Sequence, residues 1–207
     1  MNAQDCLNML RQLRDVSFST VSADGKPQAR IIDVMLAEEG KLYFCTSRGK
    51  EFYAQLLASG DVAVTGLTPD YKMIRLNGKA RKLPEQKVWI DRIFEENPSM
   101  NSVYPGESRY ILEPFCIAEG KLEVFDLNVS PIERESFAIG AAVPEAKGFL
   151  ITDACIGCGS CAAGCPQQAI DEGQPYVIRQ RNCLHCGLCF ETCPVQAIVR
   201  RREGGAP

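Results

Sequence analysis

The first apolar residues of the chain recur three and four positions apart, which is the period of an α-helix. Asn2 and Asp5 have the spacing of an N-terminal capping box, in which each side chain bonds the backbone of the other residue. The pattern therefore predicts a short amphipathic helix over residues 3–14. The residues on its apolar face are Cys6, Met9, Leu10 and Leu13.

From Val16 onward the apolar residues form short runs, and turn residues such as Asp24-Gly25 separate these runs. Short runs between turns are typical of β-strands. Asn77-Gly78 lies inside one run and fits either a hairpin turn or a bulge. The predicted strands cover residues 16–22, 28–37, 41–46, a run from 62, 71–83, and one or two segments within 110–127. Helices are predicted over residues 50–58 and from Pro84 to Asn97, the second with an apolar face of Val88, Trp89, Ile93 and Phe94.

Many short strands with tight turns and few helices predict a small barrel or sandwich, and we expect a barrel. Residues 129–146 have no clear period and contain Pro131 and Pro144, which favours a linker. The sequence thus predicts one domain over residues 1–128, a linker over 129–146 and a second domain over 147–207.

Charge and composition narrow the class of protein. The 207 residues carry a formal net charge of −3, which argues against nucleic-acid binding through a general basic field. No stretch approaches the ~20 apolar residues that cross a bilayer. The segment from Met1 to Leu10 lacks the basic and apolar regions of a secretory signal. We therefore expect a cytoplasmic protein that binds neither nucleic acid nor a membrane.

Most of the eleven cysteines lie in the last quarter of the chain, in two copies of the pattern C-x2-C-x2-C-x3-C-P. The copies are offset by 28 residues, and the alignment extends back to Leu150-Ile151, which maps onto Ile178-Arg179. In a chain without a secretory signal, this spacing favours metal ligation over disulfide bonds. The first copy is Cys155, Cys158, Cys161 and Cys165, and the second is Cys183, Cys186, Cys189 and Cys193.

Both cysteine runs, each followed by proline, resemble those of the bacterial two-cluster ferredoxins. The resemblance implies two [4Fe-4S] clusters, with the fourth cysteine of each run bound to the cluster of the other run. One cluster would take Cys155, Cys158, Cys161 and Cys193, and the other would take Cys183, Cys186, Cys189 and Cys165. His185, the only histidine, fits either a residue that tunes the second cluster or an ordinary loop residue. The remaining Cys6, Cys45 and Cys116 are read as small core hydrophobes.

Three short motifs precede the cysteines: QARIID at 28–33, GKLYFCTSRGKEF at 40–52 and GKA at 78–80. Together they resemble the FMN-binding split barrel of the pyridoxamine 5'-phosphate oxidase-like superfamily, over about residues 7–127. The resemblance implies an α+β fold, in which a split β-barrel with bound FMN is followed by a small ferredoxin-like domain with two [4Fe-4S] clusters. It also implies a homodimer with the flavins at the interface.

The same resemblance implies which side chains contact the flavin. Arg30, Ile31 and Ile32 would line the isoalloxazine ring, Thr46, Ser47 and Lys50 would hold the phosphate, and Gln55 would contribute to the site. Independently of the family, hydroxyls, backbone amides and cations at a strand end that leads into a helix suit a phosphate dianion. The alternative is that Arg48 and Lys50 are solvated charges at the start of a helix.

One position departs from the oxidases of that superfamily. They carry a lysine five residues after the strand arginine, and this chain has Met35 there. We therefore do not expect oxidation of pyridoxamine phosphate. Arg134 and Phe137 fit either contacts with the flavin or plain linker residues, and Trp89 and Tyr104 fit either stacking on flavin or substrate or, for Trp89 especially, core packing.

These features lead to one main hypothesis and two alternatives. The main hypothesis is an oxidoreductase: a redox partner protein, either a ferredoxin or a reductase, supplies electrons that pass through the clusters to FMN, which reduces a small-molecule substrate. The first alternative is an electron carrier that serves a partner protein. The second is a redox or ligand sensor without flavin.

Overall fold

The structure is a computed structural model that describes residues 1–144 and 146–201, and it divides into two compact units. The first, called the barrel unit, comprises Met1–Pro69, Met73–Glu123 and Phe137–Val143. The second, called the cysteine unit, comprises Asp70–Lys72, Val124–Ser136 and the described residues from Pro144 onward. Within the described ranges, no helix has the length and apolar character needed to cross a bilayer.

Most of the barrel unit is one curled sheet with four helices. The strands are β1 Asp15–Val21, β2 Pro27–Asp33, β3 Leu36–Glu38, β4 Lys41–Ser47, β5 Asp61–Leu67, β6 Lys72–Lys82, β7 Leu112–Asp126 and β8 Glu133–Ile139. Their order in the sheet is β2-β1-β5-β6-β7-β4-β3, with β8 paired to β7. The pairs β2-β1, β1-β5, β5-β6, β7-β4 and β4-β3 are antiparallel. The helices are α1 Ala3–Leu13, α2 Glu51–Ala58, α3 Gln86–Glu96 and α4 Met100–Val103, followed by a 3-10 turn at Gly106–Ile111.

Aromatic side chains fill the centre of the barrel unit. Phe18 of β1 and Phe44 of β4 are fully buried, and their ring centroids are 4.8 Å apart. Phe44 also stacks on Phe115 of β7 at 5.6 Å, and Phe52 of α2 closes over the group. Each buried ring stabilises the fold by about 1.5–3 kcal/mol. This core joins β1, β4, β7 and α2.

Helix α1 is confirmed together with its predicted cap. The Asn2 side chain accepts a hydrogen bond from the Asp5 amide at 2.9 Å, and the Asp5 carboxylate accepts one from the Asn2 amide at 2.8 Å. Such a cap contributes about 1 kcal/mol. Cys6 and Leu10 are buried as predicted, and Leu7 completes the buried face.

Gly78 lies within the continuous strand β6, so no hairpin turn occurs there, and the register against β5 runs past Gly78 without a bulge. A side chain at Gly78 would collide with the Glu119 carbonyl oxygen, and one at Gly120 would meet the Asn77 carbonyl oxygen at 2.6 Å. The two glycines therefore allow β6 and β7 to approach closely. The segment around Gly120 is accordingly one long strand rather than two.

One helix and one strand differ from the sequence prediction. On α3 the buried residues are Ile90, Ile93 and Phe94, whereas Val88 is 64% exposed, because at about 100° per residue Val88 lies about 140° around the helix from Ile93. Strand β8 lies inside the segment 129–146 that was predicted as a linker, because its mixed sequence pairs with the long strand β7. The predicted domain boundaries stay a prediction.

The cysteine unit is built from short elements that repeat. They are β9 Phe149–Ile151, α5 Ser160–Ala163, β10 Ile170–Asp171, β11 Val177–Ile178, a 3-10 turn at Gln180–Asn182, α6 Leu188–Thr192 and β12 Ile198–Arg200. Strand β9 pairs with β12, and β10 pairs with β11. Each two-stranded sheet therefore joins the first strand of one repeat to the last strand of the other.

The offset between the repeats changes before the cysteines. Ile151 pairs with Ile198, and Ile178 pairs with Ile170, so Ile178 takes the place of Ile151. The alignment of Ile151 with Arg179 is therefore wrong by one residue. The second repeat has one more residue between strand and cysteine, and the 3-10 turn at Gln180–Asn182 accommodates it.

Candidate cofactor sites

One cavity of the cysteine unit is surrounded by four cysteines, with about 310 Å³ of space between its atoms. Three of these cysteines come from the first run and the fourth comes from the second run. They are Cys155, Cys158, Cys161 and Cys193. Ile151, Ile156 and Val195 are among the apolar residues that complete the wall. The structure thus brings together the four residues that the sequence assigned to one cluster.

A second cavity of about 370 Å³ has the complementary set of cysteines. They are Cys183, Cys186, Cys189 and Cys165, three from the second run and one from the first. Phe149, Ile170 and Ile178 contribute apolar wall. Four thiols converging in an apolar cavity is the donor set that Fe-S clusters use.

The chain reaches these positions through glycines with positive φ. Gly157, Gly159 and Gly187 have φ values of 69°, 76° and 87°, which side chains with a Cβ rarely adopt. Gly159 and Gly187 stand immediately before the short helices α5 and α6. The loops can therefore turn tightly around each cavity.

Backbone amides point at four of the sulfurs, in positions that the repeat relates. The amides of Gly157 and His185 donate to Cys155 Sγ at 3.5 Å and to Cys183 Sγ at 3.3 Å. Likewise, the amides of Ala169 and Ala197 donate to Cys165 Sγ at 3.3 Å and Cys193 Sγ at 3.2 Å. These hydrogen bonds favour negative charge on sulfur, and such outer contacts tune a bound cluster.

The burial of several thiols opposes their ionisation. Burial raises the pKa of Cys189 to about 11, and it also raises the pKa of Cys161 and of Cys183. The exposed Cys158 differs, because hydrogen bonds with Ser160 lower its pKa. A bound metal reverses the effect of burial, since a coordinating thiol is deprotonated by the cation.

Within the described ranges, no three His, Cys, Asp or Glu side chains are grouped as ligands for a single metal ion. The ligands of an iron–sulfur cubane do not form such a group, because its four thiolates bind four different iron atoms. The four cysteines of each cavity therefore need not converge on one point.

In the barrel unit, Arg30 and Gln55 belong to one polar network. The guanidinium of Arg30 donates to Thr20 Oγ1 at 2.6 Å and to Gln55 Oε1 at 3.0 Å, and the Thr20 hydroxyl donates to Gln55 Oε1 at 2.5 Å. The guanidinium also lies 4.6 Å from the centre of the Phe52 ring. Arg30 is therefore held in one orientation, at the junction of β2 and α2.

Thr46, Ser47 and Lys50 lie together where β4 leads into α2. Lys50 is the N-cap residue of α2, and its amide donates to the Ser47 carbonyl at 3.1 Å. Thr46 is 1% exposed, and its Oγ1 is buried without a hydrogen-bond partner. A buried hydroxyl without a partner is costly, so this atom is suited to a bound acceptor.

The sequence did not point to the carboxylate beside this group. Glu113 of β7 is buried and accepts from Arg48 at 3.0 Å, and Lys82 lies 3.1 Å from its other oxygen. Thr46 is the cross-strand neighbour of Glu113. Arg48 is thus anchored by an ion pair, and it is not simply a solvated charge. The strand prediction alone could not reveal this pairing.

Ile31 and Ile32 lie on β2, at one edge of the sheet. Ile31 is 64% exposed and Ile32 is half-buried. An exposed isoleucine on an edge strand provides an apolar surface for a ligand or for another chain. Of the seven predicted flavin contacts, Ile31 and Lys50 are the two that the structure leaves exposed to solvent.

Other candidate residues belong to a second hydrophobic core in the barrel unit. Trp89 stacks on Tyr43 with ring centroids 5.1 Å apart, and Tyr104 packs against the same cluster. Met35 is buried in it as well, and Cys45 and Cys116 are core residues as expected. Arg134 lies over the Phe125 ring at 4.2 Å within the cysteine unit.

Comparison with known proteins agrees with this architecture. Residues 4–102 match the family model of pyridoxamine 5'-phosphate oxidase, and residues 147–201 match the 4Fe-4S dicluster domain. A ferredoxin of Butyribacterium methylotrophicum is 60% identical over 30 residues, which cover 14% of this chain. The matched region spans about half, 54%, of the length of that curated relative.

Two solved structures share the fold of the first part of the chain. A NimC/NimA family protein of Clostridium acetobutylicum has a TM-score of 0.57 and 20% identity, with 67% of this chain and 92% of that chain covered. A protein of the same organism related to general stress protein 26, of the pyridoxinephosphate oxidase family, has a TM-score of 0.51 and 11% identity, with 65% and 94% covered. The chain therefore carries a split-barrel domain of the pyridoxamine 5'-phosphate oxidase type, followed by a 4Fe-4S ferredoxin-type region.

Proposed function

We propose that this protein is an oxidoreductase in which two [4Fe-4S] clusters and FMN exchange electrons to reduce a small substrate. The observation that carries the proposal is the pair of cavities, each with three cysteines from one run and one from the other. This arrangement is expected for two four-iron clusters in a duplicated unit. A four-iron cluster transfers one electron at a time.

The ligand sets follow from the cavities. The cluster near β9 and β12 takes Cys155, Cys158, Cys161 and Cys193, and the cluster near β10 and β11 takes Cys183, Cys186, Cys189 and Cys165. The related amide–sulfur contacts in the two repeats support this assignment, because they favour thiolates at corresponding positions.

The residues at the end of β4 fit the phosphate group of FMN. Thr46 offers a buried hydroxyl without a partner, and Lys50 offers a cation at the start of α2. Arg30 and Gln55 form a fixed polar group, and Ile31 and Ile32 offer apolar surface on β2. FMN accepts either one or two electrons, so it connects cluster chemistry to two-electron reduction of a substrate.

The exposed edge strand also supports a homodimer. Ile31 is solvent-exposed on β2, and a symmetric partner that covered this edge would bury it. The substrate differs from pyridoxamine phosphate, because Met35 is buried in the second core where the oxidases have a lysine. Electrons enter from a soluble redox protein in the cytoplasm.

The test follows electrons from the clusters to the flavin. Anaerobic protein is loaded with clusters and FMN and mixed with a reduced ferredoxin, and the cluster and flavin absorbances are recorded over time. We expect cluster bleaching to precede flavin bleaching. In a Cys158→Ser/Cys186→Ser variant, flavin reduction by ferredoxin slows by at least about 10-fold, while photoreduction of the flavin is unchanged. Equal rates in both proteins would contradict the proposed route.

Reoxidation separates the enzyme from a simple carrier. If the reduced protein is reoxidised only by a second protein and by none of a panel of small electron acceptors, it is a carrier. Protein that holds clusters and binds no flavin at all would instead favour a sensor.

A further inference from the structure

A cleft lined mainly by cations lies beside the second cysteine cavity, within the cysteine unit. It holds about 960 Å³ of open space. Its described lining residues include four cationic side chains and one carboxylate, Glu135. The cations are Arg134, Lys147, Arg181 and Arg201. This set, called the basic cleft, contrasts with the formal net charge of −3 for the whole chain.

Hydrogen bonds and strand pairing hold the four segments of the basic cleft together. The Arg201 amide donates to the Gly148 carbonyl at 3.0 Å, which sets Arg201 beside Lys147. Arg181 donates to Glu133 at 2.9 Å and reaches Glu135 at 3.4 Å. The neighbouring Asn182 donates to the Ile132 carbonyl at 2.9 Å. The backbone of these segments is therefore held in place by the fold, and the Arg181 side chain is held by Glu133 and Glu135.

His185 connects the basic cleft to the second cavity. It lines the cleft, and its amide donates to Cys183 Sγ at 3.3 Å. It is followed directly by the exposed Cys186, which lines the second cavity. A protein bound in the cleft would thus lie one loop away from the proposed second cluster.

The duplicated halves carry opposite charges at positions that match when they are counted from the cysteines. Two residues before its first cysteine, the first repeat has Asp153 and the second repeat has Arg181. After the last cysteine, Glu172 of the first repeat corresponds to Arg200 of the second. Duplication alone would have kept these charges equal, so the two cluster ends of the unit present different surfaces to a partner.

We propose that the basic cleft is the docking surface of an acidic electron-carrier protein, which reduces the second cluster. The inference rests on the proposed electron-transfer function. In each encounter the carrier loses one electron and the second cluster gains one. Electron-transfer encounters use small, charged interfaces, and complementary charge raises their association rate.

A carrier protein fits the cleft better than a small anion. The cations come from four separate segments around a wide opening, and Arg181 and Arg201 are solvent-exposed. A small polyanion requires donors that converge on one enclosed point. Carboxylates distributed over a protein surface match cations that are distributed in the same way.

The experiment compares two electron donors and two matched variants. A Lys147→Gln/Arg181→Gln/Arg201→Gln variant removes three charges of the cleft, and a Lys26→Gln/Lys87→Gln/Arg179→Gln variant removes three charges outside it. Iron content confirms that both variants hold clusters. The donors are a purified acidic bacterial ferredoxin in its reduced form and the small radical monocation of methyl viologen, which is the one-electron-reduced form of that dye. Stopped-flow absorbance gives the second-order rate of cluster reduction under anaerobic conditions.

We expect the cleft variant to be reduced by ferredoxin about 10-fold more slowly at low salt, with the difference vanishing at high salt. Its reduction by methyl viologen should equal that of the wild type, and the control variant should match the wild type with both donors. Equal ferredoxin rates for the cleft variant would overturn the inference.

Further outcomes separate the inference from the proposed function. Wild-type clusters that accept electrons from methyl viologen and not from any acidic carrier would refute the docking surface alone. Clusters that accept electrons from neither donor would refute the proposed electron transfer. Binding of pyrophosphate that only the cleft variant loses, with ferredoxin rates unchanged, would show a small-anion site instead.

Discussion

The buried hydroxyl of Thr46 allows a test in which one substitution has opposite effects on stability and on ligand binding. Thr46 is 1% exposed, and no protein group is a hydrogen-bond partner of its Oγ1. Thr46→Val replaces the hydroxyl by a methyl group of similar shape. In the flavin-free protein this change removes an unpaired buried polar atom, which should stabilise the barrel unit by about 1 kcal/mol.

The same substitution should weaken FMN binding. A hydrogen bond to a charged group contributes about 1.5–3 kcal/mol, so its loss should raise the dissociation constant of FMN by roughly 10- to 100-fold. Thr20 provides the matched control, because it is also buried but bonds both Arg30 and Gln55. Thr20→Val should destabilise the flavin-free protein by about 1–3 kcal/mol, since it removes the buried hydrogen bonds of the Thr20 hydroxyl with Arg30 and Gln55 and leaves only the bond between those two side chains.

Urea unfolding followed by tryptophan fluorescence measures the first effect. Trp89 is the only tryptophan, and it is packed on Tyr43 in the barrel unit, so the signal reports that unit alone. Quenching of FMN fluorescence on titration measures the second effect. A Thr46→Val protein that is less stable without flavin and binds FMN like the wild type would refute the assignment of Thr46 to the phosphate.

Three further predictions follow from contacts in the two units. Gly120→Ala should lower the free energy of unfolding by about 2–4 kcal/mol in the urea assay, because the new methyl group meets the Asn77 carbonyl oxygen at 2.6 Å. A loss below about 0.5 kcal/mol would contradict the close approach of β6 and β7. Asp33 faces Asp15 across β1 and β2. Burial is the main cause that raises the pKa of Asp33, and the neighbouring Asp15 raises it further. Charged Asp33 is therefore disfavoured in the folded state, and the stability of the protein falls as pH rises through that pKa. Asp33→Asn should therefore raise stability at neutral pH by about 0.5 kcal/mol, with no gain at acid pH; a gain at acid pH would count against this explanation. Cys193→Ala should damage the cluster that Cys155 binds and Cys165→Ala the other, so their electron paramagnetic resonance spectra should retain different clusters, and identical residual spectra would contradict the crossed ligand sets.

The cysteine pattern predicted its region well because each run is local. Three ligands within seven residues can only wrap around one centre, and the proline after the fourth cysteine ends the helix that precedes it. The capping box of α1 was predictable for the same reason, since Asn2 and Asp5 are three residues apart. Short-range geometry of this kind can be predicted from the spacing of residues alone.

The polar network of the candidate flavin site depends on contacts that spacing does not reveal. Thr20 and Gln55 are 35 residues apart, and Arg48 and Glu113 are 65 apart. Their pairing is decided by the order of strands in the sheet, which joins β4 to β7. Family resemblance supplied Arg30 and Gln55, but it gave no indication of Thr20 or Glu113.

Strand β8 was missed because its sequence has no strong alternation. Glu133, Arg134 and Glu135 are consecutive charged residues, which favour a solvated segment on local grounds. The long strand β7 supplies a pairing edge that overrides this preference. The extra residue of the second repeat could not be predicted, because it lies before the cysteines and the offset of 28 between the two cysteine runs is unaffected by it.

Cofactor content of the anaerobically isolated protein is the measurement that tests the central claim most directly. Iron, acid-labile sulfide and acid-released flavin are counted per chain, and the visible spectrum is recorded on the same sample. The account predicts about eight iron atoms, about eight sulfides and about one FMN per chain. Protein that holds about four iron atoms, or that cannot be loaded with FMN, would contradict it.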